Sequence, residues 1–418
     1  MSWARRALLM VAGLGGGAIA LSAQSGIGLR PMAHGVGVAT HADPIPGGGG
    51  LSEVRLTQPV LMGVATALRG RLQGTLTLNL ESLTIPGGEL TPGAWGEGYV
   101  DRRHPHSTVH ELMLATPDLL GTADRGTRLG LAVGKGFVPF GSDDPMVRPF
   151  LRYPVNHHWA QVLERAVVIA QVEHGPVTLE GALFNGDEPE RASQWPLIKL
   201  PDGRWRFGDS RALRLTVRPL TGLELQGSLA SILSPEHRPA AGGVAKKRSA
   251  SLRWHDQPDW GERYLMAEWA HTDELEGTFR FRSLLVEGQL RRGRWAAGYR
   301  MESTDRPEEE RLDDPFRSLR PHLENSILGI GRWTLHTVRV AHDVADPDLP
   351  FRLTPFVEGT LGRVRKLDAG IFDPVGLYGT NSVRQLSVGV VLGWGMRHHR
   401  MGRYGVLASH HHDSPSDP

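Results

Sequence analysis

The sequence contains no cysteine among its 418 residues. Disulfides, thiolate metal sites and a cysteine nucleophile are therefore excluded. Beyond the N-terminus, no apolar run reaches the length of about 18 residues that a membrane-spanning helix needs. A chain of this length without disulfides must obtain its stability from a large core or from extensive backbone pairing.

The chain also lacks an excess of charge of either sign. The chain has 47 Lys and Arg against 45 Asp and Glu, and two of the arginines, Arg5 and Arg6, lie in the N-terminal segment. The remainder carries 45 charges of each sign, so no nucleic-acid partner is indicated. No motif for a cofactor occurs, and we expect none to be bound.

The N-terminus has the features of an export signal. Arg5 and Arg6 precede a run of small and aliphatic residues from Ala7 to Ala20, and small residues follow. This pattern predicts a signal peptide over 1–23, cleaved after Ser22 or Ala23. An uncleaved anchor is the alternative, although the run is short for a span. Residues 24–50 are rich in glycine and proline without a clear period, which predicts a flexible segment.

After that segment, the dominant pattern is alternation with period 2, as a two-faced β-strand requires. Leu213, Leu215 and Val217, for example, alternate with Arg214 and Thr216. The strands are long by the standards of soluble sheets, whose strands average about five or six residues. Sixteen segments are predicted, at 54–67, 72–82, 107–116, 127–136, 163–173, 176–184, 210–218, 222–232, 246–256, 262–272, 279–291, 294–304, 324–333, 335–344, 351–364 and 383–396.

The strand count has one open alternative. A further short segment, Met401–Leu407, would require an eighteenth strand, because bacterial barrels have an even number. Barrel residues are thus predicted over 51–408, with a polar tail at 409–418.

Short turns alternate with long polar connections along the chain. Arg69–Arg71, Pro219–Thr221, Arg292–Gly293 and Thr334 are predicted as short turns, whereas Asn185–Asp209 is one of the long connections. Short turns on one side and long loops on the other are typical of membrane barrels. In lipid a sheet must close, because unpaired backbone groups at an edge are too costly. We therefore expect an all-β, antiparallel, up-and-down transmembrane barrel.

The segment from Gly134 to Arg165 differs from the rest in its density of proline, aromatic and charged residues. Loops longer than about 12–15 residues are often functional. Trp159, Val162 and Leu163 have helical spacing, and Asn156 is a candidate N-cap. We expect residues Gly136–Trp159 to fold into the lumen, with a short helix near the end.

This segment also carries a family resemblance. Gly134–Gly141 reads Gly-Lys-Gly-Phe-Val-Pro-Phe-Gly, residues Gln161–Arg165 follow, and Ala182–Gly186 reads Ala-Leu-Phe-Asn-Gly. The chain resembles the phosphate-selective porin O/P-like barrels in this region. Those proteins share one strand end of the type Gly-x-x-x-x-Pro-Phe-Gly and another of the type Phe-Asn-Gly. The resemblance implies a sixteen-stranded porin in the bacterial outer membrane. It does not extend to phosphate selectivity, which would require a lysine-rich lumen, because the chain has only five lysines.

The sequence therefore predicts a channel for passive diffusion of small polar or ionic solutes, held in outer-membrane lipid, with a homotrimer as the candidate assembly. The residues that could narrow the pore lie in the long segment and on inward strand positions. The loop candidates are Asp143, Asp144, Arg148, Arg152, Glu164 and Arg165. The wall candidates are Arg214, Arg218, Glu224, Arg300 and Glu302. Any wall residue could instead be part of a generic solvated wall, and the loop charges could serve only as structural braces.

Metal binding and catalysis are the hypotheses that compete with a diffusion channel. His157 and His158 are weak metal candidates, because imidazole and the carboxylates of Asp143 and Asp144 in the same loop could together bind zinc or copper. His110-Glu111 lacks the second histidine of a His-Glu-x-x-His zinc helix, and no Gly-x-Ser-x-Gly motif occurs. We expect no enzyme activity. A barrel lipase or protease with a dispersed Ser/His/Asp set, and a non-conducting scaffold, remain the alternatives.

Overall fold

A computed structural model describes residues 28–395, apart from 45–46, 86–97, 100–105, 123–125, 143, 187–188, 190–191, 200–202, 204, 235–242, 310–326, 346–349 and 369. Its strands are β1 (Gly28–Asp43), β2 (Leu51–Ala67), β3 (Leu72–Asn79), β4 (Val109–Thr122), β5 (Thr127–Gly136), β6 (Arg165–His174), β7 (Val177–Phe184), β8 (Ile198–Lys199), β9 (Trp205–Arg206), β10 (Ser210–Leu220), β11 (Leu223–Ser234), β12 (Gly243–Asp256), β13 (Glu262–Glu274), β14 (Phe279–Arg292), β15 (Trp295–Glu309), β16 (Ile327–His342), β17 (Phe351–Lys366) and β18 (Ser382–Gly395).

Sixteen of these strands form one closed antiparallel barrel. Within the barrel, each strand pairs with the next barrel strand along the chain, so β7 pairs with β10. The pairing of β1 with β18 closes the sheet. The strands β8 and β9 form a separate two-stranded sheet. The predicted fold, a sixteen-stranded up-and-down barrel, is confirmed.

Helices are few and short. They are Glu81–Thr84, His157–Ala160 and Pro374–Tyr378, with 3₁₀ turns at Pro145–Val147 and Leu275–Gly277. Among the described residues, no helix has both the length and the apolar character to cross a membrane.

The first strand was not predicted. Residues Gly28–Asp43, expected within a flexible segment, form β1 and close the barrel. Val36 and Val38 of this strand are buried inside, whereas the outward positions include Gly37 and Ala39. Small outward residues hide the alternation, because the contrast that marks a strand in sequence is lost. The prediction of a flexible segment is therefore wrong for residues 28–43.

The second correction concerns β16. Two strands were predicted on either side of Thr334, but Ile327–His342 is one continuous strand. Trp333 and Leu335 face inward and are buried, whereas Val338 and Val340 face outward and are exposed. The apolar residues change faces along the strand, and that change of phase was interpreted as a turn. The predicted count of sixteen is correct because one strand was missed and another was divided.

The outward face of the barrel is apolar along its middle. Leu213, Leu284, Val338 and Val388 lie there with side chains about half exposed. In contrast, buried polar and charged residues fill the inward face. A closed sheet with an apolar outside and a polar inside is the arrangement that lipid requires. This barrel therefore spans a membrane.

The connections separate the two ends of the barrel. The β2–β3, β6–β7, β10–β11 and β14–β15 connections are turns of a few residues, whereas those at the other end include residues 137–164 and 367–381. We call these ends the short-turn end and the long-loop end. The start of β1 and the end of β18 both lie at the short-turn end. The predicted signal at 1–23, strand at Met401–Leu407 and tail at 409–418 lie outside the described residues.

Barrel closure by β1 can be tested with engineered cysteines, since the natural chain has none. Ala39 lies opposite Val388 on β18, and Val388 lies opposite Val357 on β17. We expect the pair Ala39→Cys and Val388→Cys to form a disulfide, because opposed antiparallel residues are about 4.5–5.5 Å apart.

The matched control is Ala39→Cys with Val357→Cys. These positions are two strands apart, about 9.6 Å, which is too far for a disulfide. Migration on non-reducing gels after mild oxidation measures both pairs. Cross-linking of the control, or of neither pair in a folded barrel, would contradict the position of β1.

Candidate functional site

The segment between β5 and β6, residues 137–164, lies inside the barrel. We call it the lumenal segment. Nearly all of its described side chains are buried, including Phe140, Phe150 and Trp159. The prediction of a loop folded into the lumen is confirmed. Because its polar groups are removed from bulk water, each one needs a partner on the wall.

The helix in this segment is shorter than its sequence pattern suggested. It covers His157–Ala160, and Val162 and Leu163 lie beyond it. Asn156 occupies the N-cap position but makes no side-chain cap hydrogen bond. Its amide instead donates to the Glu268 carboxylate of β13, with an N–O distance of 2.9 Å. The Asn156 side chain therefore binds the barrel wall and does not cap the helix.

Glu268 is a central acceptor for the lumenal segment. In addition to Asn156, it accepts from the Ser142 hydroxyl and the Arg148 guanidinium, the latter at 3.5 Å. Arg148 also donates to Ser142 at 2.6 Å. The carboxylate is fully buried, so these donors provide the compensation that a buried charge requires. Sequence analysis did not identify Glu268, although alternation predicts its inward position.

Arg300 of β15 holds the middle of the lumenal segment. Its guanidinium pairs with Glu287 of β14 at 2.7 Å and donates to the backbone carbonyls of Arg152 and Phe150 at 2.8 and 3.2 Å. It also lies 4.7 Å from the centre of the Phe150 ring. A planar guanidinium can satisfy all these acceptors at once because its donors are arranged in a fixed fork.

Further contacts attach the segment around the wall. Glu302 accepts from the backbone amide of Val155 at 2.8 Å, and Arg152 donates to the Thr360 hydroxyl of β17 at 2.5 Å. The Trp159 indole donates to the backbone carbonyl of Asp305 at 2.9 Å. The lumenal segment therefore contacts the far wall from β13 to β17, not only its own flanking strands.

The end of the segment is fixed by Glu164. Its carboxylate accepts from the His110 ring at 2.6 Å, from the Lys135 ammonium at 3.1 Å, and from the Ser107 hydroxyl and backbone amide. Burial alone would raise the pKa of Glu164, but the nearby His110, His106 and Lys135 outweigh burial and lower the pKa to about 2. The group is therefore a carboxylate at neutral pH.

Two described residues of the β3–β4 connection, Gly98 and Tyr99, are buried beside the lumenal segment. Gly98 and Tyr153 exchange two backbone hydrogen bonds of 3.3 and 2.6 Å, which join the β3–β4 connection to the lumenal segment. The neighbouring Tyr99 donates to Glu358 of β17 at 3.0 Å. Burial and the Glu358 charge raise the pKa of Tyr99 well above its ordinary value, so the phenol remains a donor. No sequence pattern had singled out Tyr99.

The candidate wall residues divide into two groups. Arg300, Glu302 and Arg214 contact the lumenal segment, Arg214 through the Gly141 carbonyl at 3.4 Å. Arg218 and Glu224 instead pair with each other at 3.0 Å beside the β10–β11 turn, at the short-turn end. The narrowing role assigned to these residues remains a prediction, and the two groups lie at different depths.

The remaining loop candidates are also placed by the structure. Asp144 is buried and accepts from the backbone amide of Met146 at 2.8 Å. Arg165 is buried and donates to the Leu163 carbonyl. Asp143 lies outside the described residues.

The histidines of the lumenal segment are adjacent on its helix. The His157 ring lies 5.1 Å from the His158 ring and 4.5 Å from the Tyr153 ring. Within the described part of the chain, no group of three or more His, Cys, Asp or Glu side chains has the arrangement to hold a metal ion.

A buried cluster at the long-loop end was missed by sequence analysis. Arg306 lies 3.8 Å from the centre of the Trp333 ring and donates to the Tyr378 hydroxyl at 2.9 Å. Glu308 accepts from Tyr378 and Trp333 at 2.8 and 2.7 Å. These contacts fix the helix Pro374–Tyr378 to β15 and β16. Arg306 and Glu308 continue the charged run of β15, a signal that sequence analysis did not use.

Comparison with known proteins finds similar structures but no similar sequence. No protein-family model and no characterised protein sequence matches the chain. An anion-selective porin from Comamonas acidovorans matches in structure with a TM-score of 0.52 and 9% identity, over 88% of this chain and 100% of the other. The outer-membrane channel DcaP of Acinetobacter baumannii matches with a TM-score of 0.49 and 8% identity, over 89% and 98%. The chain has the fold of a bacterial outer-membrane barrel.

We expect Glu164→Gln to release the lumenal segment at neutral pH, because it leaves Lys135 buried without a counter-charge. The loss of a buried ion pair costs on the order of 3 kcal/mol. Trypsin cleavage after Arg152 measures the release. Glu173→Gln is the matched control, because Glu173 of β6 also pairs with a buried arginine, Arg128 at 3.0 Å, but lies beside the β6–β7 turn at the short-turn end.

The same contact predicts a pH dependence. The folded pKa of Glu164 is depressed, so its stabilising contribution is full above about pH 4.5 and is lost as the pH falls towards 2. As the pH falls from about 4.5 towards 2, cleavage after Arg152 by an acid-tolerant protease variant should increase. The rate of hydrogen exchange of the segment's backbone amides, relative to wall amides, should increase over the same range. Equal behaviour of the wild type and Glu164→Gln at pH 7 would contradict the anchoring role.

Proposed function

We propose that the chain is a channel of the bacterial outer membrane that allows passive diffusion of small polar or ionic solutes. The observation that carries the proposal is the lumenal segment, which crosses a polar barrel interior and contacts the far wall. A segment in that position restricts the cross-section available to a solute. The solute must then pass between charged and hydrogen-bonding groups, as in other pores with polar constrictions.

The charges around the segment favour weak charge selectivity. Arg148, Arg300 and Arg214 each lie beside a carboxylate, namely Glu268, Glu287 and Glu180. Because the cations and anions are interleaved, neither sign dominates the field across the lumen. Selectivity for phosphate, the finer part of the family resemblance, is not part of this proposal.

Two partner predictions belong to the proposal. The apolar outward band fits outer-membrane lipid, and we retain a homotrimer as the predicted assembly. Chemical cross-linking in native membranes, followed by analysis of unheated samples on gels, tests the oligomer. Bands no larger than the monomer would contradict the trimer without affecting the channel.

Single-channel recording of the refolded protein in a planar bilayer tests the channel itself. We expect discrete current steps, and a reversal potential near zero under a salt gradient. Arg300→Gln should change the step size or add closing events, because it releases the carbonyls of Phe150 and Arg152. Arg218→Gln is the matched control, since it also breaks an Arg–Glu pair in the lumen wall but lies away from the segment.

The contrary results are distinct. A folded, heat-modifiable barrel that gives no steps would favour a non-conducting scaffold. Hydrolysis of lipid or peptide would favour the barrel enzyme. One buried serine and one buried histidine, Ser107 and His110, both bind the Glu164 carboxylate. That arrangement gives the hydroxyl a carboxylate and an ammonium as partners, which does not support a hydrolase at this position.

A further inference from the structure

The outward face of the barrel changes character at the long-loop end of β17 and β18. Leu361 and Leu386 are more than half exposed and belong to the apolar band. The next outward positions towards the long loops are Arg363 and Arg365 on β17, and Arg384 on β18, and all three are exposed. Arginine on the outside of a membrane barrel is costly unless it lies at the level of the headgroups.

These three residues and Arg332 form one patch, which we call the basic cluster. Arg332 lies directly opposite Arg365 in the β16–β17 register. Arg384 pairs with Leu361, and Arg363 pairs with Ser382, so Arg363 and Arg384 are diagonal neighbours. Opposed and diagonal positions are about 5 Å and about 7–8 Å apart, so the four cations share one small surface.

The basic cluster has more cations than anions. Asp305 pairs with Arg332 at 2.6 Å. Among the described residues, no carboxylate lies within ion-pair distance of Arg363, Arg365 or Arg384. Asp305 offsets the charge of Arg332 only, and like charges on neighbouring strand positions, such as Arg363 and Arg384, destabilise a sheet. The arrangement is therefore one that an external anion would stabilise.

The depth of the cluster agrees with a lipid headgroup. Arg384 and Trp394 are both on β18 and are separated by ten residues, which corresponds to about 34 Å along the strand and about 25 Å across the bilayer at the usual tilt. That is the height of the apolar band of such barrels. Arg282 and Arg292 have the same separation on β14, and both are exposed.

The two edges of the band also differ in chemistry. At the short-turn end, large aromatic side chains are exposed, including Trp295 and Phe351. Aromatic belts are typical of an interface with ordinary headgroups. At the long-loop end of β17, the exposed guanidinium groups of Arg363 and Arg365 lie at that level. β17 thus presents an aromatic side chain at one edge of the band and two guanidinium groups at the other.

We propose that the basic cluster Arg332, Arg363, Arg365 and Arg384 binds the phosphate groups of an anionic glycolipid in the outer leaflet. Guanidinium groups bind phosphate oxygens through paired, charge-assisted hydrogen bonds. Long loops of bacterial barrels lie on the extracellular side, so the cluster faces that leaflet. The lipid would cover β16–β18 on the outside, away from the lumen.

Equilibrium binding of bisphosphorylated lipid A to the folded full chain in detergent tests the proposal. The triple variant Arg363→Gln, Arg365→Gln, Arg384→Gln should lose affinity by about 100-fold, since each arginine near an anionic surface contributes about 1 kcal/mol. The control replaces three exposed arginines at the short-turn end, Arg69, Arg71 and Arg292, with glutamine and should retain the affinity of the wild type.

Three results would overturn the proposal. These are equal binding by the triple variant and the wild type, equal losses in the triple variant and the control, and equal binding of dephosphorylated lipid A. Inorganic phosphate at the same concentration should not compete, and full competition would point to a free-anion site instead. Heat-dependent migration verifies that each variant is folded. The current steps should be unchanged in the triple variant, so this test and that of the channel fail independently.

Discussion

Backbone pairing in a medium without water is the constraint on which the whole structure depends. Every amide and carbonyl within the apolar band must find a partner in the sheet, because lipid offers none. A linear array of strands leaves two edges, and only the pairing of β1 with β18 removes both. The glycine-rich β1 is tolerated because this requirement concerns the backbone, and small side chains do not weaken it.

A second constraint follows from closure, because the sheet encloses a volume that must be filled or wetted. The lumenal segment places charged and amide groups in that volume, and the wall supplies their partners. Glu268, Arg300 and Glu164 each satisfy several groups at once. The interior is therefore organised by pairs of opposite charge, whereas the exterior is organised by contact with lipid and its headgroups.

Sequence reasoning predicted the fold because period 2 is a direct consequence of strand geometry, and the long strands repeat it many times. It failed where that contrast is absent, as in β1, or changes phase, as in β16. For the site, alternation correctly assigned Arg300 and Arg218 to the inward face. It could not give their depth, and only Arg300 lies at the level of the lumenal segment.

The partners of the loop charges were beyond sequence reasoning for a related reason. Glu164 was identified as a candidate, but His110 lies 54 positions away and Glu268 meets Arg148 across 120 positions. Such pairs depend on strand register and on the path of the loop, which a single sequence does not specify. The outward arginines are easier to recognise in retrospect, because they continue an alternation that was already evident.

The lumenal segment is covalently held at both ends, by Gly136 of β5 and Arg165 of β6, which lie opposite each other in the sheet. If its wall contacts break, the released chain stays within a few nanometres of its binding groups. The effective concentration of segment and wall is then of millimolar order, as for short flexible linkers. Rebinding is therefore intramolecular and independent of protein concentration, so the return of the segment to the wall is a property of each single barrel.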